Sequence, residues 1–217
     1  MVNPLVGAGS VRPDLTPTQR AMDAHDWSFG GTWPYEPHFL FTDGIRIHYV
    51  DEGPRSGESV VLLHGTPYWS YVFREEIAEL AASGARAIAY DQLGFGRSDK
   101  PERESEYSLE RDVHHLRALV DELGLERPAL VAQGSAVPIA RAYGAAEIVE
   151  REGPLPEIVR APLLGRLLIK GLRWPIRQVV GQDRSRPYSE TERTAYLAPH
   201  PSWASRSGIV ASLRRGG

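Results

Sequence analysis

Apolar and polar residues alternate along the first third of the chain in a way that predicts a β-hairpin. Ile45, Ile47 and Tyr49 are separated by Arg46 and His48, a period of two that is typical of a half-buried strand. A short apolar run at 39–41 precedes this strand. Because the connecting residues are Thr-Asp-Gly, a turn sequence, the two strands are predicted to pair directly.

Three continuous apolar runs follow, at residues 59–63, 86–90 and 129–133. Runs of this kind predict strands that are buried on both faces. Helical periodicity fills the intervals, over 73–83 and over 109–123, with Ser108 placed to cap the second of these helices. Strands that alternate with helices indicate an α/β fold with a mostly parallel sheet flanked by helices.

Beyond the third run, the pattern predicts a helix from residue 136 to about 150 and no strand after it. The chain is therefore expected to divide into an irregular leader (1–37), a partial α/β core (38–150) and a Pro-rich helical segment (151–217). Leucines between 163 and 172 predict one amphipathic helix within that segment. Because later strands are expected to be missing, the strand at 129–133 is predicted to expose an apolar edge through which a homodimer would form.

Composition narrows the classes of function. The chain has 217 residues, is 41% hydrophobic and contains no cysteine, which excludes disulfide and thiolate chemistry. We find no secretory signal and no apolar run long enough to span a membrane, so a cytoplasmic protein is expected. Residues 158–217 hold 11 Lys or Arg and 3 acidic residues, but the cations are interleaved with apolar residues, so no nucleic-acid or membrane partner is predicted.

Metal and cofactor sites are not predicted either. His114 and His115 are adjacent on a helix and point about 100° apart, so they do not share a metal ion as an i, i+4 pair does. Gly94-Phe95-Gly96-Arg97-Ser98 lacks the Gly-Lys pair of a phosphate-binding loop and is expected to be a tight structural turn.

Three motifs carry a family resemblance. They are His-Gly-Thr-Pro-Tyr-Trp-Ser-Tyr at 64–71, Asp-Gln-Leu-Gly-Phe-Gly-Arg-Ser-Asp-Lys-Pro at 91–101, and Pro-Tyr-Glu-Pro-His at 34–38. Together with the hairpin end at 48–54, they resemble the α/β-hydrolase superfamily, and within it most of all the haloalkane dehalogenases, with the epoxide hydrolases as near relatives. The resemblance covers about 33–145 and implies that the Pro-rich remainder is a lid.

The resemblance also implies a reaction and its residues. A carboxylate at the tip of the turn after the 129–133 strand would displace halide from a small apolar substrate, and a His would activate the water that opens the resulting ester. Backbone amides of Thr66 and Ser135 would stabilise the oxyanion. His64 is expected to shape the oxyanion loop, and Trp69 is expected either to line an apolar pocket or to belong to the core.

The turn itself departs from the family pattern. Small residues flank a nucleophile two positions away on either side, and here Ala132 and Ala136 assign that place to Gly134, which has no reactive side chain. Ser135 stands where dehalogenases have a halide-binding Trp. Catalysis is therefore expected to be impaired or absent, as in a truncated relative or pseudoenzyme that retains a small-ligand site.

One catalytic alternative stays open. Ser135 would act as the nucleophile of a serine or epoxide hydrolase, although Gln133 and Val137 would then crowd the turn. The only His downstream is His200, which lies between two prolines and is expected to be on a surface loop. The acids in the same stretch, Glu147 and Asp183, follow no predicted strand and are expected to be solvated.

Overall fold

The computed structural model describes residues 17–152, residue 170 and residues 187–215. Six strands form one sheet in the order β1-β2-β4-β3-β5-β6. Their bounds are β1 His38–Thr42, β2 Ile45–Glu52, β3 Ser59–Leu63, β4 Arg86–Tyr90, β5 Ala129–Gln133 and β6 Ile148–Arg151. The helices are α1 Pro17–Asp23, α2 Arg74–Ala82, α3 Leu109–Glu122, α4 Val137–Tyr143, α5 Glu190–Leu197 and α6 Ser207–Arg215.

The pairing confirms the predicted sheet. β1, β2 and β4 pair antiparallel, whereas β3 pairs parallel with both β4 and β5. The hairpin turn places Asp43 and Gly44 at φ +49° and +73°, a left-handed backbone that suits the Asp-Gly sequence. Because β3, β4 and β5 run in the same direction, the loops that follow them meet at one edge of the sheet.

Side chains of the central strands alternate between two apolar clusters. Leu62 and Ala87 pack in the cluster on the α2 side, and Val61 and Ile88 pack with α3 on the other side. A sheet that is covered on both faces explains why these strands read as continuous apolar runs. Ser108 caps α3 as predicted, since its Oγ accepts a hydrogen bond from the Arg111 N–H at 3.1 Å.

The chain after the elbow helix differs from the prediction. The helix expected over 136–150 ends at Tyr143, where Gly144 adopts φ +83° and closes it with a left-handed cap. The expectation that no strand follows is wrong, because β6 pairs in parallel with β5 over four residues. The 129–133 strand is therefore not an exposed edge, and the predicted homodimer contact through it does not hold.

The described parts of the predicted leader and of the Pro-rich segment contain helices and buried side chains. α1 lies within the predicted leader, and three aromatic side chains from 27–33 are buried in the α2-side cluster: Trp27, Phe29 and Trp33. α6 lies close to the turn that follows β4, since a Cβ on Gly94 would stand 3.0 Å from Gly208 Cα. The predicted Leu-rich helix at 163–172 lies outside the described residues except for Lys170.

The longest helix in the described part of the chain is α3, with 14 residues. None of the described helices combines the length and the apolar character that crossing a membrane requires.

Candidate functional site

The turn between β5 and α4 has the geometry of a nucleophile elbow. Gln133 leaves the strand with extended backbone, Gly134 adopts φ +51°, and a single 3₁₀ turn leads into the helix. The strained position of such an elbow is the one that presents the nucleophile. It falls on Gly134 and not on Ser135, in agreement with the frame set by Ala132 and Ala136. The tip of the elbow therefore carries no side chain.

The Ser135 hydroxyl is bound to Thr66. Its Oγ accepts a hydrogen bond from the Thr66 backbone N–H at 2.8 Å and donates one to Thr66 Oγ1 at 3.0 Å. Thr66 Oγ1 is also 2.6 Å from Ser212 Oγ on α6. The backbone donor that the resemblance assigns to the oxyanion is thus already satisfied by the neighbouring side chain.

His200 is buried and does not contact Ser135, so its expected place on a surface loop is wrong. The residue is 0% exposed, and the Phe95 ring packs against it with ring centroids 5.9 Å apart. Its Nδ1 lies 3.4 Å from the Ser205 carbonyl oxygen, and Nε2 has no hydrogen-bond partner among the described residues. Burial lowers the pKa of His200 to about 3, so the imidazole is neutral at physiological pH.

His64 holds two loops together. Its Nε2 accepts a hydrogen bond from the Gln92 N–H at 3.0 Å, and its backbone oxygen accepts one from the Gln92 side-chain amide. Burial lowers the pKa of His64 to about 4, which leaves the ring neutral and able to accept that hydrogen bond. This geometry agrees with a loop-shaping role and leaves the ring no free basic nitrogen.

Asp91, at the carboxyl end of β4, is the most highly connected group of the site. Its carboxylate accepts hydrogen bonds from Ser70 N–H at 2.8 Å, Ser70 Oγ at 2.7 Å and Arg97 N–H at 2.8 Å. His48 Nδ1 lies 2.7 Å from its other side. Burial opposes ionisation, but His48 and these donors hold the pKa of Asp91 below its usual range. Asp91 therefore organises the loops at this edge of the sheet.

Sequence reasoning missed the partner of Asp91. His48 occupies a polar position in the alternating strand β2, which predicted exposure, yet the residue is 0% exposed. The pairing register of β2 and β4 would have indicated this contact. Just past the paired residues, the Asp91 N–H donates to the His48 carbonyl oxygen at 2.9 Å, which places the two side chains side by side. The pattern of one strand alone does not show which neighbour covers it.

Trp69 belongs to the core and not to a pocket wall. It is 0% exposed, and its indole N–H donates to the Ala195 carbonyl oxygen at 3.0 Å. Trp27 and Tyr71 pack against it with ring centroids 5.4 Å away in both cases. Trp69 is not among the residues that line the cavity beside the elbow.

A cavity of about 320 Å³ lies beside the elbow. It is bounded by the start of α3, the elbow turn, the start of α4 and one residue of α6. Its lining residues are Tyr107, Ser108, Leu109, Glu110, Asp112, Ser135, Pro138, Ile139 and Ser212. Ser135 and Ser212, the outer members of the Thr66 hydroxyl chain, both face this space.

The acidic residues considered as catalytic candidates lie away from the elbow or outside the described residues. Glu147 is exposed just before β6, and Asp183 lies outside the described residues. Glu150, within β6, forms an exposed ion pair with Arg141 at 2.7 Å. In the part of the chain that the structure describes, no group of three or more His, Cys, Asp or Glu residues is arranged to hold a metal ion.

Comparison with known proteins places this geometry in a family. A family model described as the alpha/beta hydrolase fold matches residues 58–151. The chain is 39% identical over 212 residues to a haloalkane dehalogenase of Mycolicibacterium paratuberculosis, covering 90% of this chain and 68% of that protein. It is 35% identical over 195 residues to a haloalkane dehalogenase of Mycobacterium marinum, covering 82% and 66%.

A solved structure agrees with these relatives. Haloalkane dehalogenase DbeA from Bradyrhizobium elkani USDA94 matches with a TM-score of 0.68 and 27% identity, over 84% of this chain and 70% of that one. The chain spans between 39% and 68% of the length of the curated haloalkane dehalogenases it matches. On fold and sequence alike, the chain belongs to the α/β-hydrolase superfamily and is most like the haloalkane dehalogenases.

Proposed function

We propose that this chain is a haloalkane-dehalogenase-like protein that binds a small apolar molecule and in which carbon–halogen hydrolysis is impaired or absent. The observation that carries the proposal is Gly134 at the strained tip of the elbow, with φ +51°. Displacement of halide requires a nucleophile at that tip, and glycine supplies no atom that attacks carbon.

The neighbouring hydroxyl does not replace that nucleophile. The Ser135 hydroxyl donates a hydrogen bond to Thr66 Oγ1 at 3.0 Å, so its hydrogen points to another hydroxyl and not to a base. A serine nucleophile needs an adjacent general base within hydrogen-bond reach. His200 and His64 are both buried and neutral, and neither bonds to Ser135.

Bromide release from 1-bromobutane tests the proposal. We expect no release by the native protein, by Gly134→Ser or by Ser135→Ala. Ser83→Ala serves as the matched control, because Ser83 is exposed and only caps the end of α2 through the Leu80 carbonyl oxygen. Turnover by the native protein that persists in Ser135→Ala would contradict the proposal outright.

A second candidate function is a serine or epoxide hydrolase that uses Ser135. It is favoured by one observation, namely that the Ser135 hydroxyl lines the cavity beside the Thr66 amide, 2.8 Å away. Hydrolysis of p-nitrophenyl butyrate and of a terminal epoxide distinguishes it. Activity that is present in the native protein and in Ser83→Ala but lost in Ser135→Ala would establish this candidate instead.

A further inference from the structure

We infer that the cavity between α3, the elbow and α6 is a binding site for a small neutral carbonyl compound with a short apolar body, held by a hydroxyl of the Thr66 chain. The inference rests on the proposed function, because it names the chemical class of the small apolar ligand. It depends on three properties of the cavity: the hydrogen bonds of its hydroxyls, its charge and its size.

Within the described part of the chain, the three linked hydroxyls have one hydrogen more than their mutual bonds use. Three hydroxyls, those of Ser135, Thr66 and Ser212, are joined by two hydrogen bonds of 3.0 and 2.6 Å. Either Thr66 or Ser212 donates the second of these bonds, and together the two bonds use two of the three hydroxyl hydrogens. When Thr66 is the donor, the Ser212 hydrogen has no acceptor among the residues that the structure describes, and Ser212 lines the cavity. A ligand that meets this donor needs an acceptor, which a carbonyl oxygen supplies.

The charge on the wall selects against anions. Glu110 and Asp112 both line the same cavity, and Asp112 is only 2% exposed. A carboxylate or phosphate ligand would enter beside these acidic side chains and would gain no favourable ion pair from them. A ketone or an ester presents the acceptor without the charge.

The remaining wall and the volume fit a short hydrocarbon body. Tyr107, Leu109, Pro138 and Ile139 supply the apolar surface. A volume of about 320 Å³ is near the lower end of the range of small-molecule sites. A six-carbon ketone such as 2-hexanone is of suitable size.

Calorimetric and NMR titrations of the native protein with 2-hexanone and with hexanoate at pH 7.5 test the inference. We expect 2-hexanone to bind and to shift the backbone amide signals of Thr66, Ser135 and Ser212. Hexanoate, which matches it in length but carries a charge, is expected to bind at least tenfold more weakly. Equal binding of the two probes, or no binding of 2-hexanone, would overturn the inference.

Two variants locate the site. Ser212→Ala removes the free donor and is expected to weaken 2-hexanone binding about five- to tenfold, as loss of one neutral hydrogen bond does. Leu109→Trp fills a half-buried wall position and is expected to abolish binding. The exposed Ser83→Ala is the matched control and should bind like the native protein.

Folding of each variant is verified by circular dichroism before titration. Folded Ser212→Ala and Leu109→Trp proteins that both bind 2-hexanone as tightly as the control would overturn the inference. Because titration measures binding without turnover, this outcome is independent of bromide release. The titrations therefore test ketone binding, and the bromide assay separately tests whether catalysis is impaired.

Discussion

The loop after β4 and the turn after β5 meet at the same edge of the sheet, yet their hydrogen bonds serve different ends. Asp91 accepts four hydrogen bonds or close polar contacts and ties three stretches of chain together. The elbow presents Gly134 and a serine whose hydroxyl is bound to the opposite loop. The difference is that the loop after β4 is held by a buried carboxylate, whereas the tip of the elbow, Gly134, carries no side chain.

The largest expected effect lies in the scaffold. Asp91→Asn places an amide N–H₂ among groups that all donate, and we expect the free energy of unfolding to fall by about 3–5 kcal/mol. Urea unfolding measures the loss. Asp121→Asn, at an exposed position of α3, should cost less than about 0.5 kcal/mol. A cost for Asp91→Asn as small as that of the control would show that its network is not stabilising.

Acid pH should weaken the scaffold through its buried histidines. The folded-state pKa is about 3 for His200 and about 4 for His64, whereas the ordinary value is 6.5. Below pH 6.5 the unfolded chain binds protons that the folded chain does not. Stability is therefore lost as pH falls toward the folded pKa values, by about 2–3 kcal/mol per histidine at pH 4.5.

Urea unfolding at pH 7.5 and at pH 4.5 measures this loss in the native protein and in His200→Phe. The variant should lose about 2–3 kcal/mol less between the two pH values, because one buried base is gone. Ser83→Ala, an exposed position without a titrating side chain, serves as control and should lose as much as the native protein. An unchanged pH response in His200→Phe would contradict the burial of a neutral ring.

A smaller effect is expected at the tip of the elbow. Gly134→Ala puts a Cβ on a backbone at φ +51° and should cost about 1–2 kcal/mol. Gly124→Ala is the matched reference, because Gly124 has φ +59° and no atom within 4 Å of an added Cβ. Equal losses in thermal or urea unfolding would indicate a purely conformational cost. A neutral Gly134→Ala beside a costly Gly124→Ala would contradict the elbow geometry.

The smallest effect is expected at Ser135. Ser135→Ala leaves the half-buried Thr66 N–H without its acceptor and should lower the free energy of unfolding by about 0.5–1.5 kcal/mol. Ser83→Ala loses only an exposed hydrogen bond to a helix end and should cost less. A Ser135→Ala variant as stable as the native protein would show that its bond to Thr66 contributes nothing to the fold.

The pattern of apolar residues predicted the strands and the helix whose side chains have the same surroundings along their whole length. The runs that became β3, β4 and β5 are apolar because both faces of the sheet are covered, and the stripe of α3 is apolar because one face packs on the sheet. β6 escaped prediction because it is short and mostly exposed, and its pairing with β5 depends on where Gly144 ends α4. A helical pattern and a short exposed strand are not distinguishable from residue types alone there.

The site divides in the same way. Sequence spacing placed Gly134 at the elbow tip, because small neighbours are a local steric requirement of the turn. The environment of Trp69 depends on Trp27 and Ala195, and that of Ser135 depends on Thr66, all of which are far away in sequence. A single histidine between two prolines predicts a surface loop. Nothing in those adjacent residues indicates that Phe95 and Ser205 lie against the ring.

By itself, the sequence determined the α/β fold, the family resemblance and the absence of a side chain at the reacting position, since these follow from periodicity, motif spacing and residue identity. Only the tertiary structure decided that the Thr66 amide is satisfied by Ser135, that Asp91 pairs with His48, and that Ser135 and Ser212 share a cavity. Each of these is a contact between residues that are distant along the chain. Hydrogen bonds and burial are settled by which surfaces meet in the folded molecule, and residue order does not specify that.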